Sequence, residues 1–276
     1  MEPKQLSIIE HIEELRKRLI ICAVFFVIAL VFSFYVAEPI IKYIQVDSGE
    51  LEDLTLNAFK PGEPLIVYLE VTFVVALIFT SPVILYQLWA FIAPGLYETE
   101  RKATLKYIPY SFALLILGIL FAYFLLFPNI MKFMNNLAER LDIKQTIGID
   151  AYFSFLFKLI IPFGFIFQLP VITMFLSRLG ILNPSLMVKY RKYSYFVMFV
   201  IAVLISPPDL IYYILISIPL FALYEISIVI ARVGYKKYLV AEEQRIQKEN
   251  ELEQNRQVEE ALTEQRHQIE LMKKQS

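Results

Sequence analysis

The chain contains 276 residues, of which 58% are apolar and only 19% are charged. Soluble domains average roughly 45–50% apolar and about 25% charged residues, and the mean hydropathy of +0.57 is unusually positive for that class. The net charge of −1 gives no reason to expect a polyanionic partner such as a nucleic acid. Composition therefore excludes an ordinary soluble domain and favours an integral membrane protein.

Six apolar runs carry this excess of hydrophobic residues. A helix needs about 20 mainly apolar residues to cross the ~30 Å hydrocarbon core of a bilayer. The runs lack the alternation of period two that is typical of barrel strands, so they predict membrane-crossing helices. The basic cluster Arg16-Lys17-Arg18 precedes the first run, as in a signal peptide, but this apolar run is longer than that of a typical signal peptide. We therefore expect the first run to be a retained span. The six runs are Leu19–Ala37, Val71–Ile92, Tyr107–Pro128, Phe153–Leu176, Tyr193–Ser206 and Leu210–Ile230.

The distribution of lysine and arginine predicts the orientation of these spans. With the N-terminus inside, about 14 of these residues fall in inner segments and about 5 in outer segments, and Lys158 lies inside a span. An even number of spans then places the C-terminus on the inner side too. The opposite orientation would strongly violate the positive-inside rule.

The last two spans are predicted to be short. About 14 residues separate Lys192 from Pro207, which is roughly 21 Å of helix, and Glu225 interrupts the sixth run. The turn Ser206-Pro207-Pro208-Asp209 is too tight to form a substantial outer loop. From Tyr238 onward the chain is rich in Glu, Gln, Arg and Lys, which predicts a charged cytoplasmic tail that is partly helical or disordered. We therefore divide the chain into a membrane domain, 1–237, and a tail, 238–276.

Two cytoplasmic segments contain candidate binding residues. The N-terminal segment predicts an amphipathic helix, because Ile8, Ile12, Leu15 and Leu19 share one face. Its charges, among them Glu14, could be simply solvated. The segment after the second run contains Glu98 and Glu100 on an otherwise basic face. These carboxylates could pair with neighbouring cations, or they could bind a positively charged partner, since carboxylates accept forked hydrogen bonds from guanidinium groups.

Polar residues inside the spans are the other candidates, because ionisable groups in a membrane are costly and often functional. Glu70 and Lys158 lie near the outer ends of their spans. Gln168 lies near the middle of the fourth span and Glu225 in the inner half of the sixth. For Gln168, an interhelical hydrogen bond and a role in transport are both open. The chain has only two histidines, both outside the spans, and no phosphate-binding glycine loop, so we expect no enzyme, metal site or cofactor.

Four motifs resemble those of one known family, TatC, the large subunit of the twin-arginine protein translocase. The resemblance covers about residues 5–235. Its motifs are His11-Ile-Glu-Glu14-Leu-Arg16-Lys-Arg18; Ser81-Pro82-Val-Ile-Leu-Tyr86-Gln87 with Trp89-Ala-Phe91-Ile-Ala-Pro94-Gly95-Leu-Tyr97-Glu-Thr-Glu100-Arg101-Lys102; Ala122-Tyr-Phe124 with Phe127-Pro128; and Ser206-Pro207-Pro208-Asp209.

This resemblance implies a fold, a function and a set of partners. The implied fold is all-α, with six transmembrane helices in a concave, glove-like arrangement, helices five and six short, and both termini cytoplasmic. The implied function is that of the core receptor in the cytoplasmic (inner) membrane, which binds twin-arginine signal peptides of folded cargo proteins and nucleates a translocon driven by the proton-motive force. Implied partners are single-span subunits of the TatA/TatB type and further copies of the chain.

The resemblance also assigns residues. Glu14 and Glu100 would meet the two arginines, while Arg16, Phe91, Pro94 and Leu96 would shape the same patch. Many members have a glutamate where this chain has Gln168, so a hydrogen-bonding role fits this position better than a proton-dependent one. Two alternatives to a receptor are a secondary transporter of small solutes or ions, and a purely structural membrane scaffold.

Overall fold

The computed structural model describes residues 8–47, 56–93, 105–143, 146–206 and 210–275, and within these ranges the protein is almost entirely helical. Helix α1 spans Ile8–Asp47 and α2 spans Glu63–Ile92. Helix α3, Tyr107–Phe121, passes through a π-helical turn, Ala122–Leu126, into α4, Phe127–Arg140. The remaining helices are α5, Ile149–Ile166; α6, Leu169–Arg178; α7, Pro184–Lys189; α8, Arg191–Ile205; and α9, Leu210–Gln275.

Five stretches within the described ranges are long and apolar enough to cross a membrane. They are Ile12–Gln45, Glu63–Phe91, Tyr107–Arg140, Ile149–Arg178 and Tyr212–Thr263. They correspond to the first four and the sixth of the predicted runs. The fifth run forms α8, whose 15 residues span only about 22 Å, as its short apolar length predicts.

The centre of the bundle is α5, which packs against both α2 and α3. Its side chains Phe153, Leu156, Leu159 and Phe163 are fully buried. By contrast, α1 packs mainly against α2 and exposes most of its apolar residues. On a helix of membrane-crossing length, such a surface is suited to contact with lipid.

Proline accounts for two departures from the predicted spans. The third run was expected to end at Pro128, but the chain stays helical from Tyr107 to Arg140. A π-helical turn directly before Phe127 absorbs the irregularity that Pro128 introduces, because proline has no N–H to donate. The fourth run is broken by a turn at Phe167 and Gln168, just before Pro170.

The sixth helix differs most from the prediction that it is short. Helix α9 begins at Leu210, as expected, but continues for 66 residues to Gln275. Glu225 interrupts the apolar run without ending the helix, since glutamate is a good helix former and its carboxylate is paired with Arg191. The segment 238–276, expected to be partly helical or disordered, is helical through Gln275.

Candidate functional site

The beginning of α1 and the end of α2 meet because the two helices pack antiparallel. Ring pairs Phe26–Phe73 and Phe34–Tyr68 lie farther along the same interface, with centroids 5.3 and 4.9 Å apart. Near the end of the interface, Arg18 Nη1 donates a hydrogen bond of 3.2 Å to Gln87 Oε1. We call the cluster of Glu14, Arg18 and Gln87 the α1–α2 junction.

Glu14 is the carboxylate of the α1–α2 junction, and it is already bound to a guanidinium group. Arg18 donates to Glu14 Oε1 from Nε, at 3.2 Å, and also from Nη2. Only 23% of the Glu14 side chain and 21% of the Arg18 side chain are exposed. Glu13, its sequence neighbour, is half exposed and lies near Arg16 and Lys17, at 3.9 and 3.3 Å.

This arrangement gives Glu14 a chemistry that Glu13 lacks. Charge-assisted hydrogen bonds gain strength where water is partly excluded, and carboxylates bind guanidinium groups selectively. Both contacts from Arg18 go to Oε1. An arriving arginine could therefore bind the other carboxylate oxygen or exchange with Arg18.

The other predicted residues of this patch have different outcomes. The Arg16 side chain is exposed and lies beside Glu13 rather than Glu14. Phe91 is half-buried in the last turn of α2, close along the chain to Tyr86 and Trp89, whose rings are tilted by 33° with their centroids 5.8 Å apart. Glu100, Pro94 and Leu96 lie outside the described residues.

The sequence analysis assigned no role to two residues of the α1–α2 junction, Arg18 and Gln87. The i, i+4 spacing of Glu14 and Arg18 is a recognised signal for an ion pair on a helix, and it could have indicated Arg18. Gln87 is 69 positions away from Arg18. No local pattern in the sequence could have indicated that contact.

Gln168 lies buried at the turn between α5 and α6 and is hydrogen-bonded to α3. The Ser111 hydroxyl donates to Gln168 Oε1, and Gln168 Nε2 donates to the Ser111 carbonyl oxygen at 3.1 Å. The sequence left open an interhelical hydrogen bond and a role in transport for Gln168. The observed geometry is that of an interhelical hydrogen bond. It joins the third and fourth membrane-crossing stretches.

Glu225 forms a second polar link, between α9 and α8. Arg191 Nη2 donates to Glu225 Oε2 at 2.8 Å, and Arg191 Nε lies 2.8 Å from Glu225 Oε1. The Tyr195 hydroxyl donates to the same Oε1 atom. This two-point contact holds the short α8 against the long α9, and the sequence did not indicate either partner of Glu225.

The fold and these sites together define a class of protein. Several apolar helices of membrane-crossing length make this a multi-pass membrane protein. Its polar side chains pair with one another between helices, and no group of three or more His, Cys, Asp or Glu side chains that could hold a metal ion occurs among the described residues.

Comparison with known proteins identifies the family. Residues 10–219 match the family model described as TatC, the Sec-independent protein translocase protein. The chain is 51% identical to the Sec-independent protein translocase protein TatCy of Bacillus subtilis (strain 168), and 50% identical to TatC of Halalkalibacterium halodurans; each comparison covers 86% of this chain and 93% of the relative. The chain belongs to the TatC family, a family of protein-transport subunits of the Tat translocase.

A solved structure supports the same assignment. A crystal structure of the twin arginine translocase receptor TatC superposes with a TM-score of 0.70 at 36% sequence identity, over 81% of this chain and 99% of that one. The resemblance inferred from the four sequence motifs is therefore confirmed.

Proposed function

We propose that this chain is the receptor subunit of its Tat translocase, and that it binds twin-arginine signal peptides of folded cargo proteins. The observation that carries this proposal is the partly buried Glu14 carboxylate, which already accepts hydrogen bonds from a guanidinium group at the α1–α2 junction. A site built to hold one guanidinium group is chemically suited to a peptide that presents two.

The proposal includes a membrane arrangement and a set of partners. The protein would cross the inner (cytoplasmic) membrane six times in a glove-like arrangement, with both termini in the cytoplasm. This topology would put the α1–α2 junction on the cytoplasmic face. The lysine and arginine distribution supports this orientation. There the receptor would assemble with TatA/TatB-type single-span subunits and further copies of itself, and nucleate export driven by the proton-motive force.

Glu100 completes the proposed peptide site, with Arg16, Phe91, Pro94 and Leu96 shaping it. The basis for these assignments is the family motif around Trp89–Lys102. On a cytoplasmic face rich in lysine and arginine, a peptide with two arginines would be repelled unless carboxylates are set into that face. Among the carboxylates of these motifs, Glu14 and Glu100 are the two to which the family resemblance assigns this role.

Charge removal at Glu14 and Glu100 tests the proposal. We expect Glu14→Gln and Glu100→Gln each to weaken crosslinking of a twin-arginine signal peptide about tenfold, because a hydrogen bond to a charged group contributes roughly 1.5–3 kcal/mol. The measurement is the peptide concentration that gives half-maximal photocrosslinking to the full chain in membranes. Export of a folded reporter should fall in parallel.

Glu13→Gln is the matched control, since Glu13 is also a glutamate, one position earlier on α1, but its side chain is half exposed. It should leave crosslinking unchanged. If Glu14→Gln and Glu100→Gln crosslink and export like the parent chain, the assignment of the peptide site is wrong.

A further inference from the structure

A groove between α2 and α5 lies away from the α1–α2 junction and has no role in the proposed function. Its volume is about 660 Å³, within the ~300–1,000 Å³ range of small-molecule sites. Its apolar walls include Phe73 on α2 and Phe157 and Ile161 on α5. Phe73 is half exposed, so the groove opens on the surface of the bundle.

Two opposite charges face this groove without pairing. Glu70 lines it from α2 and Lys158 from α5, and no ion pair within 4 Å joins either residue to another described residue. The Glu70 Oε2 atom is buried and has no hydrogen-bond partner within the described part of the chain. A buried carboxylate oxygen without a donor is costly, so this atom is suited to a ligand that brings one.

On the predicted topology, the groove lies in the outer part of the membrane-crossing helices. Glu70 follows the start of α2 by seven residues and Lys158 follows the start of α5 by nine, which places them roughly 10 and 14 Å along their helices. Both helices begin on the side opposite the α1–α2 junction, which is the predicted outer side. A bilayer is about 40–45 Å thick with its headgroups and about 30 Å without them, which leaves about 5–8 Å of headgroup region on each side. For helices that start at the outer surface, the groove therefore lies just inside the boundary between headgroups and acyl chains.

We propose that this groove binds a zwitterionic phospholipid whose headgroup has a primary ammonium, such as phosphatidylethanolamine. The ammonium would donate to Glu70 Oε2, and the phosphate would bind Lys158 and the hydroxyl of Ser154, which also lines the groove. The upper part of an acyl chain would lie against Phe73, Phe157 and Ile161. One negative and one positive side chain, set beside an apolar wall, complement the two charges and the tail of such a lipid.

The dimensions of the groove favour a lipid over a transmembrane helix of a partner. The lining residues extend over positions 69–74 of α2 and 154–162 of α5, or about 8 and 12 Å along the helix axes. A docked transmembrane helix would need a contact along much of the ~30 Å core. A headgroup and the first part of one acyl chain need no more than the length available.

The test measures lipid binding to the purified full chain by native mass spectrometry, with lipids added singly to detergent micelles. We expect phosphatidylethanolamine to bind about tenfold more tightly than phosphatidylglycerol, whose headgroup has no cation for Glu70. Phosphatidylcholine should also bind about tenfold more weakly than phosphatidylethanolamine, because its quaternary ammonium has no N–H to donate. This comparison needs no variant and so does not depend on the folding of a mutant.

Variants then place the site. Glu70→Gln should reduce the preference for phosphatidylethanolamine over phosphatidylglycerol about tenfold, and Lys158→Gln should weaken both lipids. The matched control is the exposed ion pair of Glu38 and Lys42 on α1, where Glu38→Gln and Lys42→Gln should change neither lipid. Equal binding of the three lipids, an unchanged preference in Glu70→Gln, or displacement of the lipid by a single-span subunit at equimolar concentration would each overturn the proposal.

Discussion

At the scale of single residues, Gln168 shows why a neutral amide suits a buried position between membrane helices. Its oxygen accepts from the Ser111 hydroxyl and its nitrogen donates to the Ser111 carbonyl oxygen. An ionised carboxylate at the same position could not donate and would carry the cost of a charge inside the membrane. Gln168 makes both hydrogen bonds at any protonation state of its surroundings.

The Gln168–Ser111 pair gives a prediction about stability. Ser111→Ala should lower the free energy of unfolding by about 0.5–1.5 kcal/mol, because interhelical hydrogen bonds in membrane proteins contribute about that much. Gln168→Leu should cost more, since it removes both hydrogen bonds. Thermal unfolding in detergent micelles of the two single variants and the double variant measures the coupling energy between the residues.

Ser217→Ala is the control for this cycle. Ser217 is buried too, but its hydroxyl donates to the Tyr213 carbonyl oxygen of its own helix, so its loss should cost less than the loss of the Ser111 hydroxyl. Strictly additive effects of Ser111→Ala and Gln168→Leu would show that the two side chains contribute independently.

At the scale of the helices, the contact between α3 and α5 depends on Gly118. A Cβ atom at this position would lie 2.7 Å from the Phe163 carbonyl oxygen and 2.8 Å from Phe167 Cγ. The first of these atoms is backbone and cannot rotate away, so a side chain would push the helices apart. Small residues at helix interfaces commonly permit this close approach in membranes.

We therefore expect Gly118→Ala to destabilise the bundle by about 1–3 kcal/mol, the usual cost of forcing extra atoms into a packed interface. The control is Gly164→Ala in the same helix pair, where a Cβ would meet Ile119 and Leu115 at an ordinary 3.5 Å. That variant should be neutral or slightly stabilising. Equal losses of thermal stability in both variants would contradict the role assigned to Gly118.

The sequence predicted helix boundaries best where the composition changes sharply, and it predicted bends and long continuations poorly. Leu210 and Tyr107 follow turn-forming or charged segments and were placed correctly, because the change in composition there is sharp. The continuation through Pro128 depends on a π-helical turn, and the break at Gln168 depends on Pro170, which has no N–H for the helical ladder. Neither effect is encoded in hydropathy, which records only how apolar a segment is.

The candidate site, too, could be predicted from the sequence only in part. The family motif includes Glu14. The i, i+4 spacing of Glu14 and Arg18 indicates an ion pair between them. The link from Arg18 to Gln87, and that from Glu225 to Arg191, join residues on different helices. Such pairs follow from packing, so a single sequence without its fold could not indicate them.

At the scale of the whole molecule, the long α9 joins the membrane bundle to the charged tail. Gly180, with a positive φ of 73°, turns the chain after α6 and lies directly beside the Tyr238 ring, which a Cβ at Gly180 would approach to 2.6 Å. Along α9 after Tyr238, the side chains through Thr263 are mostly exposed. Tyr238 therefore makes the contact between α9 and the turn after α6.

This boundary predicts how the protein responds to truncation. Removing residues 241–276 should leave the thermal unfolding of the membrane bundle in detergent unchanged, because the exposed part of α9 buries little apolar surface. Tyr238→Ala in the full chain should instead cost about 1–2 kcal/mol, less than the 3–5 kcal/mol typical of fully buried aromatic residues, since Tyr238 is only half-buried. Signal-peptide crosslinking should persist in the truncated chain, because the α1–α2 junction lies on other helices. A loss of stability on truncation as large as that of Tyr238→Ala would place part of the tail in contact with the bundle.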